Sequence, residues 1–263
     1  MIKVAVTGAS GKMGKLILSN ILRFEDLKLS AAFDLVNIGM DVGEVAQLGT
    51  LNVPISDIKD LESVLKSSGT DVLIDFTIAQ ATIVNAPRAA ACGVSLVIGT
   101  TGLSDEQKAT INDAILKNNV AGIISPNYSV GVSVFFRILK EAAKYLGEMD
   151  VEIIEAHHNQ KKDAPSGTAL KAADVISEVL GGREYVYGRE GIAPRGREIG
   201  IHAVRGGDIV GDHTVLFAGD GERIEIKHQA HSRQAFAGGA VKAALWIGSA
   251  KPGVYTMEDI LGL

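Results

Sequence analysis

The sequence lacks the features of several large classes of protein. Among its 263 residues there is one cysteine, Cys92, so no internal disulfide can form and no oxidising compartment is required. Aromatic residues make up only 5% and the formal net charge is −5, which excludes the basic excess of a general nucleic-acid binder. No apolar run is long enough to span a membrane. With no basic leader or cleavage site near the start, we expect a cytoplasmic protein.

What the sequence does contain is typical of a folded chain. Hydrophobic residues make up 46% and charged residues 22%, which predicts one large core or two smaller ones. The negative net charge still leaves room for a local basic cluster that binds a small acidic molecule.

The first residues predict a nucleotide-binding turn. Ile2 to Thr7 is a short apolar run, the glycine-rich GASGKMG follows at Gly8 to Gly14, and helical spacing begins at Lys15. Such a turn brings backbone N–H groups close to a pyrophosphate at a helix N-terminus. A second strand ends in Asp34, about twenty residues after the turn, where the dinucleotide fingerprint has a ribose-binding acid. The alternative is an ordinary tight turn with Asp34 as a strand-end cap.

Two later loops are further candidates for cofactor contacts. Apolar runs at Asp71–Thr77 and Val94–Gly99 alternate with helical segments, which predicts a parallel sheet buried on both faces. Ligands of such sheets bind at the carboxyl ends of the strands. The loops at two of these ends supply Gly99, Thr100, Thr101, Ser125, Pro126, Asn127 and Tyr128. Ordinary turns would also use small polar residues, and Tyr128 could simply pack in the core.

The second half of the sequence has a different pattern. Arg223 to Lys227 alternates isoleucines with charges, which indicates a half-exposed, largely antiparallel sheet. Thr214 to Ala218 should pair with it through the turn at 219–221. Helical spacing returns at Gln234, and this helix could pack back on the first domain.

The stretch EAHHNQKKDAPSGT, residues 155 to 168, concentrates proton-handling and cationic side chains. It follows a predicted strand, Val151 to Ala156, and its last three residues open a helix. The N–H groups of Gly167 and Thr168 would then suit a carboxylate. The stretch also contains His157, His158 and Lys161, which offer positive charge and exchangeable protons. An anionic substrate that must gain a proton fits this loop.

Less specific interpretations of these residues stay open. Neighbouring histidines in a strand point to opposite faces, so one could be a core residue and the other solvated. A zinc site is disfavoured because no cysteine is near and the spacing gives no tetrahedral set. Lys161 and Lys162 could be a solvated charge run. We expect His228 and His231 to be structural or interfacial.

Taken together, the motifs resemble those of the dihydrodipicolinate reductase family, also called 4-hydroxy-tetrahydrodipicolinate reductases. The motifs are GASGKMG, DFT, GTTG, SPNYSVGV, EAHHNQKKDAPSGTA and RGGDIVGDHTV, and they cover essentially the whole chain in order. EAHH followed by K-x-DAPSGTA is specific to the family, whereas the glycine turn fits many dehydrogenases.

The resemblance implies an α/β fold with two domains. A Rossmann-like parallel sheet domain, residues 1–127 completed by 237–263, binds the dinucleotide. A second α+β domain with an open mixed sheet, residues 128–236, binds substrate and builds a homotetramer. Family members take hydride from NADPH or NADH and convert hydroxytetrahydrodipicolinate, a small dicarboxylate of lysine biosynthesis, into tetrahydrodipicolinate.

The resemblance also assigns roles to residues of this sequence. His157 and Lys161 match the catalytic proton donors, and His158, Gly167 and Thr168 match the contacts to the substrate carboxylate. The cofactor contacts match Gly8, Ala9, Ser10, Gly11, Lys12, Met13, Asp34, Gly99, Thr100, Thr101, Ser125, Pro126, Asn127 and Tyr128. Leu35 stands where the family often has an arginine, which leaves the choice between NADH and NADPH open.

Two other functions compete with this hypothesis. Another two-domain Rossmann dehydrogenase acting on a small acidic substrate could share the first domain, but it would not predict the K-x-DAPSGT loop. A non-enzymatic sensor of NAD would bind dinucleotide without oxidising it.

Overall fold

The computed structural model describes every residue from Met1 to Leu263. The chain forms two compact units, the first made of Met1–Val130 with Gln234–Leu263 and the second of Gly131–Arg233. Each unit is built on its own sheet. None of the nine α-helices combines the length and the apolar character needed to cross a membrane.

The elements have the following bounds. The strands are β1 (Ile2–Thr7), β2 (Leu27–Asp34), β3 (Ile55–Asp57), β4 (Val72–Asp75), β5 (Ser95–Ile98), β6 (Ala121–Ile124), β7 (Asp150–His157), β8 (Tyr185–Tyr187), β9 (Ile199–Arg205), β10 (Gly211–Gly219), β11 (Glu222–Ala230) and β12 (Gly253–Tyr255). The helices are α1 (Lys12–Ile21), α2 (Val42–Val45), α3 (Leu61–Ser68), α4 (Ala79–Ala91), α5 (Asp105–Lys117), α6 (Val130–Tyr145), α7 (Gly167–Val179), α8 (Gln234–Ile247) and α9 (Met257–Leu261). A single 3₁₀ turn lies at Ile58–Asp60.

The first unit has a seven-stranded parallel sheet in the order β12-β6-β5-β4-β1-β2-β3. Its central strands are largely apolar because helices cover both faces, and the two faces pack into two separate hydrophobic clusters. The prediction of a Rossmann-like domain is confirmed. β1 has β2 on one side and β4 on the other, so the strand order reverses beside the glycine turn, where doubly wound folds bind their ligands.

The helix α8 belongs to the first unit although it comes late in the chain. It is rich in alanine and glycine, and these small residues let it pack closely. A methyl group added at Gly239 would lie 1.7 Å from the carbonyl oxygen of Tyr128. Such close packing requires glycine at position 239. The contact also holds in place the loop that follows β6, which contains Tyr128.

The second unit has a five-stranded sheet in the order β11-β10-β7-β9-β8, with α6 and α7 contributing to the core on one face. The hairpin of β10 and β11 is confirmed. The expectation of a largely antiparallel sheet is only half right, because β7–β9 and β8–β9 pair in parallel. The sheet is therefore mixed, as the family resemblance implies. Its parallel edge strand β8 has only three residues, too few to show an alternating pattern in the sequence.

Candidate active site

The glycine turn of the first unit is shaped by close backbone contacts. Gly8 has φ +72°, a conformation that favours glycine. A methyl group at Gly14 would lie 2.2 Å from the Gly8 carbonyl oxygen and 2.7 Å from Ala9 Cα, so α1 approaches the turn as closely as a backbone allows. The N-cap residue of α1, Gly11, has no side chain to accept from the first N–H groups of the helix. These N–H groups are left for an anion.

A cavity of about 440 Å³ opens beside this turn. Asp34 lies at its edge, where one carboxylate oxygen accepts from the Ser10 N–H at 2.8 Å and the other from the Leu35 N–H at 2.7 Å. The carboxylate is held in place and keeps unused acceptor capacity for a sugar diol. The lining includes no lysine or arginine and consists of Gly8, Ser10, Gly11, Asp34, Leu35, Val36, Ile58, Phe76, Thr77, Ile78, Ala81 and Asn85.

Buried threonines and Asp75 organise the carboxyl ends of β4 and β5. The Thr77 hydroxyl donates to Asp75 at 2.6 Å, and Thr82 donates to the Thr100 hydroxyl at 2.8 Å. Burial raises the pKa of the Asp75 carboxyl, although the hydrogen bonds from Thr77 oppose the rise. The ring of Phe76 covers Gly99, where a methyl group would lie 2.1 Å from the ring. Thr101 is exposed next to this network.

The loop after β6 presents main chain rather than the Tyr128 side chain. Tyr128 is 1% exposed, and its hydroxyl donates to the carbonyl oxygen of Ile98 at 2.9 Å. The Ser125 hydroxyl donates to the Asn127 carbonyl at 2.8 Å, which closes the loop. Pro126 is exposed. A cofactor contact from Tyr128 would therefore come from its backbone, and its ring packs in the core as the alternative interpretation expected.

These features fit a dinucleotide. The close packing of α1 against the glycine turn at Gly14, the uncapped start of α1 and the fixed Asp34 carboxylate are what a pyrophosphate and a ribose require. Ala9 is fully buried and the Met13 side chain packs against the core, so only their main chain can contribute. Lys12 begins α1 and is exposed.

In the second unit, the site is built around a buried carboxylate that the sequence interpretation did not single out. Glu155 is 0% exposed, and it bonds His157 Nδ1 at 2.6 Å. Arg205 donates to both of its oxygens at 2.8 Å, and the Ser166 N–H donates at 2.9 Å. Burial opposes ionisation of Glu155, but these hydrogen bonds outweigh it and lower its pKa to about 2.

The two histidines of the loop occupy different environments. His157 is the last residue of β7 and is 9% exposed, whereas His158 lies beyond the strand and is half-buried. The alternation of a strand explains this difference, since residues 155 and 157 share the buried face. Glu155 could have been found by the same rule, because it precedes His157 by two residues.

Lys161 lies in the turn that joins β7 to α7. Its ammonium donates to both carboxylate oxygens of Asp163 at 2.9 Å, and its side chain is 21% exposed. The hydrogen bond from Lys161 is the largest cause that lowers the pKa of Asp163. Arg205 donates to the Asp163 carbonyl oxygen at 2.6 Å, so the Lys161 turn is tied to the guanidinium that binds Glu155.

The N-terminus of α7 completes the site. Ser166 is the N-cap, and its hydroxyl accepts from the Ala169 N–H at 3.2 Å. Gly167 is exposed, with no atom within 4 Å of a methyl group placed on it, and Thr168 is half-buried. A carboxylate can therefore approach the first turn of this helix. One chain of hydrogen bonds thus joins His157, Glu155, Ser166, Arg205 and Asp163, the partner of Lys161.

His213 is a second buried imidazole next to His157. It is 4% exposed, its Nε2 lies 3.0 Å from the Ser166 hydroxyl, and its ring meets that of His157 edge to face at 5.1 Å. Burial is the main cause that lowers its pKa to about 4, and the charge of His157 adds to the effect. Glu155 and Asp212 oppose the change, and His228 on the neighbouring strand adds to it. His213 lies in the family motif RGGDIVGDHTV, but the sequence assigned it no role.

His213 predicts a loss of stability in mild acid. Between its ordinary pKa of 6.5 and its folded pKa of about 4, the unfolded chain binds a proton that the folded chain does not. The free energy of unfolding should therefore fall as the pH is lowered through this range, by on the order of 3 kcal/mol. Thermal unfolding from pH 7 to pH 4 measures the effect. The variant His213→Gln should show a smaller decrease, and a wild-type melting temperature that is constant over this range would contradict the assignment.

Other predicted residues fall outside these two sites. His228 lies on β11 and is half-buried, with its ring 6.3 Å from that of Phe135, which suits the structural role expected for it. His231 follows the end of the same strand. Lys162 is exposed and forms no ion pair, in contrast to Lys161.

Comparison with known proteins places both halves of the chain in one family. Residues 2–128 match the family model described as dihydrodipicolinate reductase, N-terminus, and residues 131–261 match the model of its C-terminus. A 4-hydroxy-tetrahydrodipicolinate reductase from Methanococcoides burtonii is 72% identical over 262 residues, covering 100% of both chains. The enzyme of the same name from Methanocaldococcus jannaschii is 54% identical and covers 100% of this chain and 98% of its own.

A solved structure agrees with these sequence matches. The dipicolinate-bound dihydrodipicolinate reductase from Paenisporosarcina sp. TG-14 has a TM-score of 0.80 and 31% identity, and it covers 99% of both chains. The chain therefore belongs to the dihydrodipicolinate reductase family of oxidoreductases.

Proposed function

We propose that the protein catalyses the NAD(P)H-dependent reduction of 4-hydroxy-tetrahydrodipicolinate to tetrahydrodipicolinate, with loss of water, in the diaminopimelate route to lysine. The first unit binds the cofactor and the second unit binds the substrate. The observation that carries the proposal is the hydrogen-bonded grouping of His157, the turn of Lys161 and the open N-terminus of α7.

The first unit would hold the cofactor through its backbone. The N–H groups of Lys12 and Met13 at the uncapped start of α1 would face the pyrophosphate, because those of Gly8 to Gly11 already bond within the protein. Asp34 would accept from the ribose hydroxyls, and the loops at 99–101 and 125–128 would contact the remaining part. When bound, the reduced nicotinamide supplies the hydride.

The second unit would hold the dicarboxylate. The N–H groups of Gly167 and Thr168 and the side chain of His158 bind one substrate carboxylate, since the start of α7 carries partial positive charge. Binding of this fixed charge orients the substrate for the reaction.

Lys161 and His157 would handle the proton. A hydride added to a C=C–C=N system leaves the electron pair on the far atom, which must then take up a proton. The Lys161 ammonium can donate that proton and stabilise the charge as it forms. His157 acts as the second proton donor and acceptor, with Glu155 bound to its other nitrogen. Before the substrate binds, Asp163 holds the ammonium of Lys161.

A coupled assay tests the proposal. The preceding synthase, with aspartate semialdehyde and pyruvate, generates the substrate, and the absorbance of NADH or NADPH is followed after the protein is added. The proposal expects oxidation that requires the synthase and both of its substrates. A protein that binds the cofactor but never oxidises it in this assay would instead be a sensor of NAD.

We further propose that NADH is the better cofactor. A 2′-phosphate placed beside Asp34 would face a like charge, and no lysine or arginine lines the cavity to offset it. At an effective dielectric constant near 20, two unit charges about 8 Å apart repel by about 2 kcal/mol, which is more than tenfold in kcat/KM.

Substitution of Leu35 by arginine tests this preference. Leu35 is 77% exposed next to Asp34, so Leu35→Arg should raise kcat/KM for NADPH about tenfold and leave that for NADH nearly unchanged. Leu116→Arg, at an exposed position of α5, is the matched control. A wild-type enzyme that already prefers NADPH would overturn the assignment.

The family resemblance also leads us to propose a cytoplasmic homotetramer. The face of the second sheet opposite α7 carries exposed apolar side chains, among them Ile154 (40% exposed) on β7 and Val204 (47% exposed) on β9. An exposed apolar face of this kind suits contact with other copies of the chain. Light scattering in solution measures the oligomeric state directly.

A further inference from the structure

We propose that Glu155 is the positioning residue of the second unit's site, and that it fixes the tautomer of His157 while it holds the start of α7 in place. The inference rests on the proposed function, because it assigns a role in the reaction to His157. It adds a residue to which neither the motifs nor the family models assign a role.

Glu155 bonds three residues of the site, His157, Arg205 and Ser166. One oxygen bonds His157 Nδ1 at 2.6 Å and accepts from Arg205 Nη1 at 2.8 Å. The other oxygen accepts from Arg205 Nη2 at 2.8 Å and from the Ser166 N–H at 2.9 Å. With no exposed surface, the carboxylate is held in a single arrangement. The ion pair with Arg205 also compensates the buried charge, which would otherwise be costly.

The contact with Glu155 determines which nitrogen of His157 is available. A carboxylate can only accept, so Nδ1 must carry a proton and Nε2 is the nitrogen that exchanges protons in neutral imidazole. Nε2 lies next to Gly211, where a methyl group would crowd it at 3.1 Å, so glycine at this position keeps a side chain away from Nε2. The edge-to-face contact of His213 limits rotation of the same ring.

The contact with the Ser166 N–H links the imidazole to the carboxylate-binding helix. Ser166 caps α7 with its hydroxyl and donates to Glu155 with its backbone N–H. Both its side chain and its main chain are therefore fixed, directly before Gly167. Arg205 extends the same link to the Asp163 carbonyl and thereby to the Lys161 turn. Glu155 therefore aligns the proton-handling groups with the helix that binds the substrate charge.

The substitution Glu155→Gln inverts the hydrogen bond to His157. A glutamine oxygen can still accept from the Ser166 N–H, but its NH₂ group would then face Nδ1 and donate to it. The imidazole would be forced into the Nε2–H tautomer. We expect ¹⁵N shifts of histidine-labelled protein, recorded at a pH where the imidazole is neutral, to show protonated Nδ1 and unprotonated Nε2 at His157 in the wild type, and the opposite in the variant.

Kinetics separate positioning from a purely structural role. Glu155→Gln should lower kcat about 10–100-fold, the range found when a group that orients a histidine is lost. The KM for substrate should change much less. Glu152→Gln is the control, because Glu152 lies on the opposite face of β7 and is ion-paired with Arg189 and Arg195. It should keep the wild-type kcat and the His157 tautomer.

Several results would overturn the proposal. A wild-type His157 protonated at Nε2 and not at Nδ1 would do so even if Glu155→Gln does not fold. A folded variant with unchanged kcat, or with unchanged ¹⁵N shifts, would do so as well. The tautomer measurement needs neither substrate nor cofactor, so failure of the coupled assay with the wild type would count against the proposed reaction and not against the positioning of His157.

Discussion

Replacement of Lys161 by alanine is expected to lower kcat by about two to four orders of magnitude, the usual contribution of a general acid. The Lys161 side chain is 21% exposed and its ammonium is bound by Asp163, so the ammonium can move from Asp163 to an arriving substrate. The variant loses both the proton donor and the positive charge that stabilises the developing electron pair. Steady-state kinetics with the coupled synthase measure the effect, and KM should change less than kcat.

The neighbouring lysine provides a matched control for this prediction. Lys162 is exposed and has no ion-pair partner, so Lys162→Ala removes the same type of side chain from the same loop. Its turnover should equal that of the wild type. Equal turnover in Lys161→Ala would remove Lys161 from the mechanism, and equal losses in the two variants would indicate a general effect of loop charge.

The second large effect is expected at Gly14, where alanine should disrupt the cofactor site. Its methyl group would lie 2.2 Å from the Gly8 carbonyl oxygen and 2.7 Å from Ala9 Cα, and neither backbone atom can move independently. Overpacking of this kind costs about 1–3 kcal/mol or more, which outweighs the gain of about 1 kcal/mol in helix propensity. We therefore expect a lower melting temperature and at least about a tenfold weaker affinity for NADH.

A second helical glycine shows what the same substitution does without a clash. At Gly238 in α8, the nearest atom to an added methyl group is Asn20 Oδ1 at 3.5 Å, an ordinary contact. Gly238→Ala should be neutral or stabilise the fold by up to about 1 kcal/mol. Thermal unfolding and fluorescence titration with NADH measure both quantities. If Gly14→Ala matches Gly238→Ala in both, the close approach of α1 to the turn has no role in binding.

The first unit was predictable because its signals are local and strong. A buried apolar strand, a glycine turn and an acid about twenty residues later each restrict the fold, and together they define the dinucleotide fingerprint. The three-residue strands β3 and β12 were not predicted, because three residues are too few to show a period. They form through pairing with longer neighbours at the two edges of the sheet.

The second unit was less predictable because its pairing depends on distant segments. Alternation in β11 correctly predicted the hairpin but carried no information about β7 and β9, which pair in parallel across some fifty residues. The exposed part of the loop, with Lys161 and the start of α7, was recognisable as a motif. Arg205 and His213 lie in the motif RGGDIVGDHTV, but their contacts with Glu155 and Ser166 arise only through the fold. The sequence left open whether the Tyr128 ring packs in the core or contacts a cofactor.

If the loop from His157 to Thr168 binds the dicarboxylate and supplies its proton, a crystal structure of the protein with pyridine-2,6-dicarboxylate should show both groups in place. We expect one carboxylate on the N–H groups of Gly167 and Thr168, with the Lys161 ammonium moved from Asp163 to within about 3 Å of the ligand. A ligand bound away from α7, with Lys161 still paired to Asp163, would show that this loop is not the substrate site.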